Sequence, residues 1–241
     1  MNTGGRSIRV VIADDQRMVR AGLRMVIETE PDMTVVGEAS DGVEAVALAR
    51  RLRPEVVLMD IAMPRQDGLE ATRALLEHPA APRIIVLTTF DTDENLFNAL
   101  RAGASGFLLK VSSPEHLITA IRVVAAGEAL LDPAITTRVI SAFAGTPGPQ
   151  PPPELAELTP RETDVLRLMA QGRSNGEIAA ALTVGEATVK THVARVLMKL
   201  HLRDRVQAVV YAYESGLVRA GGQAAASPGP PAGGAGRAAR R

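Results

Sequence analysis

The sequence predicts a doubly wound α/β domain with a five-stranded parallel sheet, followed by a small all-α domain. Through the first 126 residues, short β-branched runs alternate with amphipathic stretches. This alternation indicates a parallel sheet, because parallel neighbours need a crossover and the crossover is usually a helix. Beyond a proline-rich segment the pattern becomes helical throughout. A chain of 241 residues is long enough for two such domains, each with its own core.

Five runs rich in β-branched residues are the predicted strands of the first domain, and they lie at 8–13, 34–38, 56–60, 84–88 and 106–109. Between them, apolar residues recur at roughly helical spacing, for example at 18–28 and 42–53. The fifth helix is predicted to begin at Ser113-Pro114, since a serine N-cap followed by proline suits a helix start. We therefore predict a first domain over residues 7–126.

The segment 127–153 is predicted to link the domains. It contains one short helical pattern at 133–143 and then the run GTPGPQPPP, which cannot sustain a ladder of backbone hydrogen bonds. The second domain is predicted over 154–219. A tail of mostly Ala, Gly, Pro and Arg at 220–241 is predicted to be disordered.

Four helices are predicted in the second domain. Thr159 and Glu162 have capping-box spacing and open a helix that Gly172 closes, and Ser174 and Glu177 repeat that spacing before a shorter helix that ends near residue 182. A third helix is predicted after the turn 183–185, to about residue 200, and a fourth over 203–214. The spacing of the second and third helices is typical of a helix-turn-helix.

Composition excludes several classes of protein. The chain has no cysteine, so a disulfide scaffold, a thiolate metal site and a cysteine nucleophile are excluded. Tryptophan is absent and tyrosine is rare, which argues against a stacking platform for single-stranded nucleic acid. The apolar stretch at the N-terminus is too short for a signal peptide or a membrane span. We therefore expect a soluble, cytoplasmic protein without a membrane partner.

Three carboxylates are predicted to lie together at one edge of the sheet. Asp14 and Asp15 close the first strand, Asp60 closes the third, and the carboxyl ends of parallel strands border the binding crevice of such folds. Crowded carboxylates repel one another and are usually held by a hard cation, for which Mg²⁺ is the natural candidate. A carboxylate beside Mg²⁺ can attack a phosphoryl group, and we predict that Asp60 is this nucleophile.

Other strand ends supply polar partners for the same crevice. Thr88 at the end of the fourth strand offers a hydroxyl group, and Lys110 just after the fifth strand offers an ammonium group. Both could hold phosphoryl oxygens. Phe107 lies on the fifth strand and could turn inward or outward as Thr88 moves, although a plain core residue is an equal alternative.

This pattern resembles that of CheY-like receiver domains, which have a flavodoxin-like fold. The resemblance rests on Asp14-Asp15, the run VLMDIAMP at 57–64, Asp67-Gly68, Thr88 and Lys110. It implies that a histidine kinase phosphorylates Asp60, and that Asp15, Asp60 and the Ala62 carbonyl bind Mg²⁺ directly while Asp14 acts partly through water. It also implies a Thr88–Phe107 switch pair and a phosphate contact from Lys110. Val111 replaces the acidic residue that relatives often have, which should affect the loop and not the chemistry.

The third helix of the second domain is predicted to have a basic outer face. Five basic residues and one acidic residue lie between Thr188 and Arg205, although the net charge of the whole chain is zero. We predict that Lys190, Thr191 and Arg195 contact bases and that Thr188 and Lys199 contact phosphates. His192 has no metal-ligand partner at a suitable spacing and is interpreted as structural. A solvated surface without DNA is the alternative.

The helical segment resembles the LuxR-type helix-turn-helix. The residues that carry the resemblance are LTPRE at 158–162, Ser174-Asn175, Glu177-Ile178-Ala179 and ATVKTHV at 187–193. Gly185 stands where relatives commonly have a serine N-cap, a difference of a few tenths of a kcal/mol. Together the two resemblances indicate a bacterial response regulator of the NarL/FixJ family. They imply a homodimer through the last helix, where Val206, Val210 and Tyr213 form an apolar stripe, unless that stripe packs inside its own domain.

The predicted function is a two-component transcription factor in which phosphotransfer to Asp60 controls sequence-specific binding to double-stranded DNA. In this interpretation the protein is not an enzyme beyond its own Mg²⁺-dependent phosphorylation and dephosphorylation. A Mg²⁺-dependent phosphohydrolase is the competing class, but such enzymes usually place an aspartate two residues beyond the nucleophile, where this chain has Ala62. A regulator that works without phosphorylation is a third alternative.

Overall fold

A computed structural model describes residues 7–78, 80–89, 93–127 and 153–218. The short helix predicted at 133–143, the tail predicted to be disordered and nearly all of the proline-rich run lie outside these residues.

The first domain is built on five parallel strands, as predicted. The strands are β1 (Ile8–Ala13), β2 (Met33–Ala39), β3 (Val56–Asp60), β4 (Arg83–Thr88) and β5 (Gly106–Leu109). They pair in the order β2-β1-β3-β4-β5. Every residue of β3 is buried, which is characteristic of a central strand in a sheet covered on both faces.

Five helices cover the two faces of this sheet: α1 (Arg17–Glu28), α2 (Gly42–Leu52), α3 (Gly68–Leu76), α4 (Asp93–Arg101) and α5 (Pro114–Ala125). Ile27 of α1 and Ile121 of α5 belong to one apolar core, while Ala49 of α2 and Leu75 of α3 belong to the other. The alternation of strands and helices therefore gives the doubly wound architecture that the sequence predicts.

Side-chain caps fix the starts of several helices in this domain. Asp41 accepts a hydrogen bond from the Glu44 amide at the start of α2, and Asp67 does the same for Glu70 at α3. Ser113 caps α5, with Pro114 at the first helical position, as the sequence predicts.

The second domain is helical. After a short 3₁₀ turn (Pro153–Glu157) come α6 (Pro160–Ala170), α7 (Asn175–Leu182), α8 (Glu186–Lys199) and α9 (Arg205–Glu214). Both predicted capping boxes, Thr159–Glu162 and Ser174–Glu177, are formed. Thr183 ends α7 in the left-handed conformation, and α8 begins after Gly185 without a side-chain cap. The turn between α7 and α8 thus gives the helix-turn-helix that the spacing predicts.

One apolar face of α8 packs on the core of the second domain. Val189, Val196 and Leu200 are buried against the other helices, whereas Val193 and Leu197 are half-buried at the edge of that core. Among the described residues, no helix combines the length and the apolar character needed to cross a membrane.

Candidate phosphorylation and DNA-binding sites

The carboxyl ends of β1 and β3 bring three aspartates together. Asp14 and Asp60 are buried and Asp15 is exposed, and one carboxylate oxygen from each lies within 4.8 Å of the other two. β1 pairs directly with β3, which explains why residues 46 positions apart in the chain meet at one edge. This set of oxygen donors is suited to a hard divalent cation such as Mg²⁺.

Lys110 bridges the two buried aspartates. Its Nζ lies 2.7 Å from Asp14 Oδ2 and 2.9 Å from Asp60 Oδ2, and its side chain is 8% exposed. Burial lowers the pKa of Lys110, but the two adjacent carboxylates outweigh that effect and the pKa is raised overall. The ammonium is therefore held in its charged form beside the predicted nucleophile.

The pKa of Asp60 is raised because burial disfavours its charged form. Lys110 acts in the opposite direction and Asp14 in the same direction, while the Ala62 amide donates a hydrogen bond that favours the carboxylate. The protein groups around Asp60 therefore compensate the charge of its carboxylate only in part. A bound cation would offset part of the free-energy cost of burying this charge.

Thr88 and Phe107 are both buried near this edge. Thr88 ends β4, and its carbonyl accepts a hydrogen bond of 2.8 Å from the Lys110 amide. Phe107 is 3% exposed and belongs to the apolar core on the α2–α3 face. The five predicted residues, Asp14, Asp15, Asp60, Thr88 and Lys110, thus all lie at the carboxyl ends of neighbouring strands. Phe107 is buried inside the domain. This position fits both a switch residue and a plain core residue, so the two alternatives stay open.

Arg20 is a further residue of the site that the sequence does not reveal. Its guanidinium donates to the carbonyl oxygens of Asp14 and Asp15, at 2.7 and 3.3 Å, and pairs with Glu38. An arginine inside a helical pattern carries no signal for such a contact, because the acceptors are main-chain atoms.

The outer face of α8 presents the predicted DNA-binding side chains to solvent. Thr188, Lys190, Thr191 and Arg195 are all exposed. Lys190 lies 3.8 Å from Glu186 one turn earlier, and Thr191 donates to the Ala187 carbonyl. His192 is half-buried, and the structural role predicted for it stays a prediction. The arrangement leaves one polar and basic face of α8 exposed to solvent.

Lys199, at the end of α8, contacts α6 and the turn before it. Its Nζ is 2.7 Å from the buried Glu162 carboxylate and 3.0 Å from the Glu157 carbonyl. These contacts fix the start of α6 against the end of α8. These contacts favour a structural role for Lys199, and the phosphate contact predicted for it stays a prediction.

The predicted dimerisation residues are buried within a single chain. Val206, Val210 and Tyr213 are each at most 6% exposed, and the Tyr213 hydroxyl donates to the Ala170 carbonyl at 2.8 Å. Burial raises the pKa of Tyr213 to about 12. The structure thus favours the alternative that this stripe packs inside its own domain, and the three residues are not available to a second chain in this conformation.

The two domains contact each other at the amino ends of β4 and β5, opposite the acidic site. Asp204, the N-cap of α9, is 1% exposed and accepts from Ser105 Oγ at 2.8 Å and from Arg83 Nη1 at 3.3 Å. Arg203 donates to the Pro82 carbonyl at 2.9 Å, and Gln207 donates to the Leu100 carbonyl at 3.2 Å. This interface was not predicted from the sequence, since the contacting residues lie about 100 to 121 positions apart in the chain.

Comparison with known proteins defines the class of this protein. Residues 10–122 match the family model described as the response regulator receiver domain, and residues 156–212 match bacterial regulatory proteins of the luxR family. Receiver and DNA-binding domain on one chain define a two-component transcriptional response regulator.

Individual relatives are similar to this chain along most of its length. The chain is 48% identical to the uncharacterized transcriptional regulatory protein YxjL of Bacillus subtilis, over 88% of its own length and 98% of that protein. It is 40% identical to the nitrate/nitrite response regulator protein NarL of Escherichia coli, over 85% and 94%. The chain therefore belongs to the NarL/FixJ-type response regulators, as the motifs indicate.

Solved structures of response regulators also resemble this chain. A LuxR-family two-component response regulator from Aurantimonas matches with a TM-score of 0.53 and 36% identity, over 56% of this chain and 97% of that one. Two RcsB dimers bound to two parallel DNAs match with a TM-score of 0.53 and 26% identity, over 87% and 99%.

Proposed function

We propose that Asp60 is the phosphoacceptor of this transcriptional regulator and that its phosphorylation controls DNA binding by α8. The observation that carries the proposal is the cluster at the carboxyl edge of the sheet, where Lys110 lies within 2.9 Å of both Asp14 and Asp60. Family membership implies a sensor histidine kinase as phosphodonor and DNA as the target.

In the proposed reaction a carboxylate oxygen of Asp60 forms a bond to phosphorus as the bond between phosphorus and the donor nitrogen of a phosphohistidine breaks. Mg²⁺, held by Asp14, Asp15, Asp60 and the Ala62 carbonyl, would neutralise charge on the phosphoryl oxygens. Lys110 is placed to exchange its contact with Asp60 for a phosphoryl oxygen, and the Thr88 hydroxyl would bind another. The only catalysis proposed is the phosphorylation of this residue and its reversal.

The route from the phosphate to the second domain runs along β4 and β5. Thr88 and Lys110 lie at the carboxyl ends of these strands, while Arg83 and Ser105 lie at their amino ends and bind Asp204. A shift of Thr88 towards the phosphoryl group would therefore move strands whose other ends hold α9. We propose that phosphorylation weakens this interface, which shifts the population towards separated domains.

The receiver also lies close to the proposed DNA-binding face. Gly127, just past α5, and Lys190 and Ala194 of α8 line one cavity of about 310 Å³ between the domains. A DNA duplex could not approach this side of α8 while the end of α5 lies beside it. Separation of the domains would free this face of α8, and we propose that the phosphorylated form then binds DNA as a homodimer.

Mapping of the phosphate tests the central assignment. We expect a small acyl phosphate with Mg²⁺ to add one phosphoryl group to the wild-type chain at Asp60 and to add none to Asp60→Asn. A long-lived adduct supports the regulator, whereas rapid multiple turnover of the donor would support a phosphohydrolase. A phosphoryl group on another residue, or none under conditions in which Mg²⁺ binds, would contradict the proposal.

A further inference from the structure

Residues 61–67 form the loop that connects Asp60, at the end of β3, with the start of α3. The Ala62 amide donates to the Asp60 carboxylate, and the Ala62 carbonyl is the proposed metal ligand. The loop ends at Gly68, whose amide donates to the Ile61 carbonyl at 2.9 Å. A Cβ at Gly68 would lie 1.8 Å from the Asp60 carbonyl oxygen, so the chain returns very close to β3. The path of this loop therefore sets the geometry around Asp60.

The middle of the loop is attached to a different element, the start of α2. The Gly42 amide donates to the Gln66 carbonyl at 3.1 Å, and a Cβ at Gly42 would lie 2.5 Å from that oxygen. The guanidinium of Arg65 pairs with the carboxylate of Asp41. Asp41 is 2% exposed and also caps α2 through the Glu44 amide at 3.0 Å. One buried carboxylate thus holds both the start of α2 and the loop that leaves Asp60.

Arg65 adopts a backbone conformation that its own residue type does not favour. Its φ is +65°, a value uncommon for a residue other than glycine, and the next amide, that of Gln66, donates back to the Pro64 carbonyl at 2.7 Å. Such a conformation persists when surrounding contacts over-determine it. Here the contacts are those with Asp41 and Gly42.

We propose that Asp41 and Arg65 form a positioning pair that holds Ala62 in place for metal binding at Asp60. The inference rests on the proposed function, since it concerns the same metal site. Neither side chain touches the reacting atoms, so both are positioning residues. The Arg65 side chain is 62% exposed, and exposed ion pairs contribute little to stability. The Asp41 carboxylate is buried and needs a partner, so we expect the pair to fix the path of the loop rather than to stabilise the fold.

The affinity for Mg²⁺ alone, measured by calorimetric titration, tests this role. We expect Arg65→Ala and Asp41→Asn each to bind Mg²⁺ about tenfold more weakly, the lower end for groups that hold metal ligands in position. Asparagine retains the helix cap, so Asp41→Asn removes the charge without removing the cap. The double variant should bind no more weakly than either single variant, and Arg65→Lys should recover part of the affinity.

Two further variants separate positioning from general destabilisation. Arg65→Gly removes the guanidinium but accommodates the positive φ, and we expect the same loss as in Arg65→Ala. Arg122→Ala removes exposed pairs with Glu30 and Asp32, at the amino end of β2, and should leave Mg²⁺ affinity unchanged.

Wild-type affinity in Arg65→Ala or Arg65→Gly, or losses that multiply in the double variant, would overturn the positioning pair alone. A wild-type protein that binds no Mg²⁺ would instead overturn the proposed function on which it rests.

Discussion

Lys110 is the positively charged residue that lies between the two buried carboxylates of the acidic site. Its ammonium lies between Asp14 and Asp60, in the region where a cation would be coordinated by the same carboxylates. The charge therefore has two effects that oppose each other. It lowers the repulsion between two buried acids, and it competes with Mg²⁺ for their oxygens.

We predict that Lys110→Ala binds Mg²⁺ more tightly, by about tenfold, which corresponds to about 1.4 kcal/mol. The reason is that the metal no longer displaces a resident ammonium. Phosphorylation of Asp60 should nevertheless slow, because a cation that binds the phosphoryl oxygens is lost. Calorimetric titration and single-turnover phosphorylation measure the two effects. Lys110→Arg retains the charge as a control, and Mg²⁺ binding that is unchanged or weaker in Lys110→Ala would contradict the competition.

Lys190 and Lys199 are predicted to have separate roles although both are lysines of α8. Lys199→Ala should lower the free energy of unfolding by about 1–3 kcal/mol, because it leaves the buried Glu162 carboxylate without its partner. Lys190→Ala should leave stability nearly unchanged and weaken DNA binding, with a shallower dependence on salt. Denaturant unfolding and salt-dependent DNA titration measure the two effects. Equal losses of stability in Lys190→Ala and Lys199→Ala would contradict the separate roles of the two lysines.

At the level of elements, the capping boxes of α6 and α7 show how local sequence determines a helix start. In α6 the box is extended by a long-range contact, since Glu162 binds the Thr159 amide and also Lys199 of α8. The pKa of Glu162 is lowered to about 2, first by Lys199 and then by the Thr159 amide. The charged form of this carboxylate is therefore the one that stabilises the fold.

The lowered pKa of Glu162 determines how the stability of the fold changes with pH. Glu162 is deprotonated in the folded protein down to a lower pH than in the unfolded chain, so its contribution is fully present above its ordinary pKa of 4.5. This contribution is lost as the pH falls from about 4.5 towards about 2. We predict that the stability difference between wild type and Glu162→Gln shrinks over this interval when unfolding is measured by circular dichroism. A stability difference between wild type and Glu162→Gln that stayed constant or grew as the pH fell would contradict this prediction.

Elements were predictable where their causes are local. The five strands, the cap at Ser113 and both capping boxes depend on neighbouring residues, and the joint placement of Asp14, Asp60, Thr88 and Lys110 follows from the parallel sheet. Contacts between distant segments were not predictable. The position of Lys199 in the sequence does not show whether its ammonium contacts Glu162 or DNA. The left-handed φ of Arg65 is likewise not predictable from neighbouring residues, because Arg65 contacts Asp41 in another loop.

In the whole molecule, the acidic site and the contact with the second domain lie at opposite ends of the parallel strands. β4 and β5 connect them, because the carboxyl end of each strand borders the acidic site and the amino end holds α9. Asp204 is at the centre of this interface, since it caps its own helix and binds Arg83 and Ser105 of the receiver.

We predict that Arg83→Ala increases DNA binding by the unphosphorylated protein. The loss of a partly buried interdomain pair should favour the separated state by about 1 kcal/mol, which is about fivefold in affinity if separation limits binding. Arg122→Ala is the matched control, because its pairs with Glu30 and Asp32 lie within the receiver. DNA titration without a phosphodonor measures the effect. An affinity in Arg83→Ala equal to that of wild type would show that this contact does not restrain the second domain.

The central claim is that a phosphate on Asp60 controls binding of DNA by α8. Sequencing of the fragments that the purified protein retains from sheared genomic DNA of its host, with and without phosphodonor, tests it most directly. We predict a defined set of fragments that the phosphorylated wild type enriches and that Asp60→Asn, treated identically, does not. Equal enrichment by Asp60→Asn, or none by the phosphorylated wild type at moderate salt, would contradict the account.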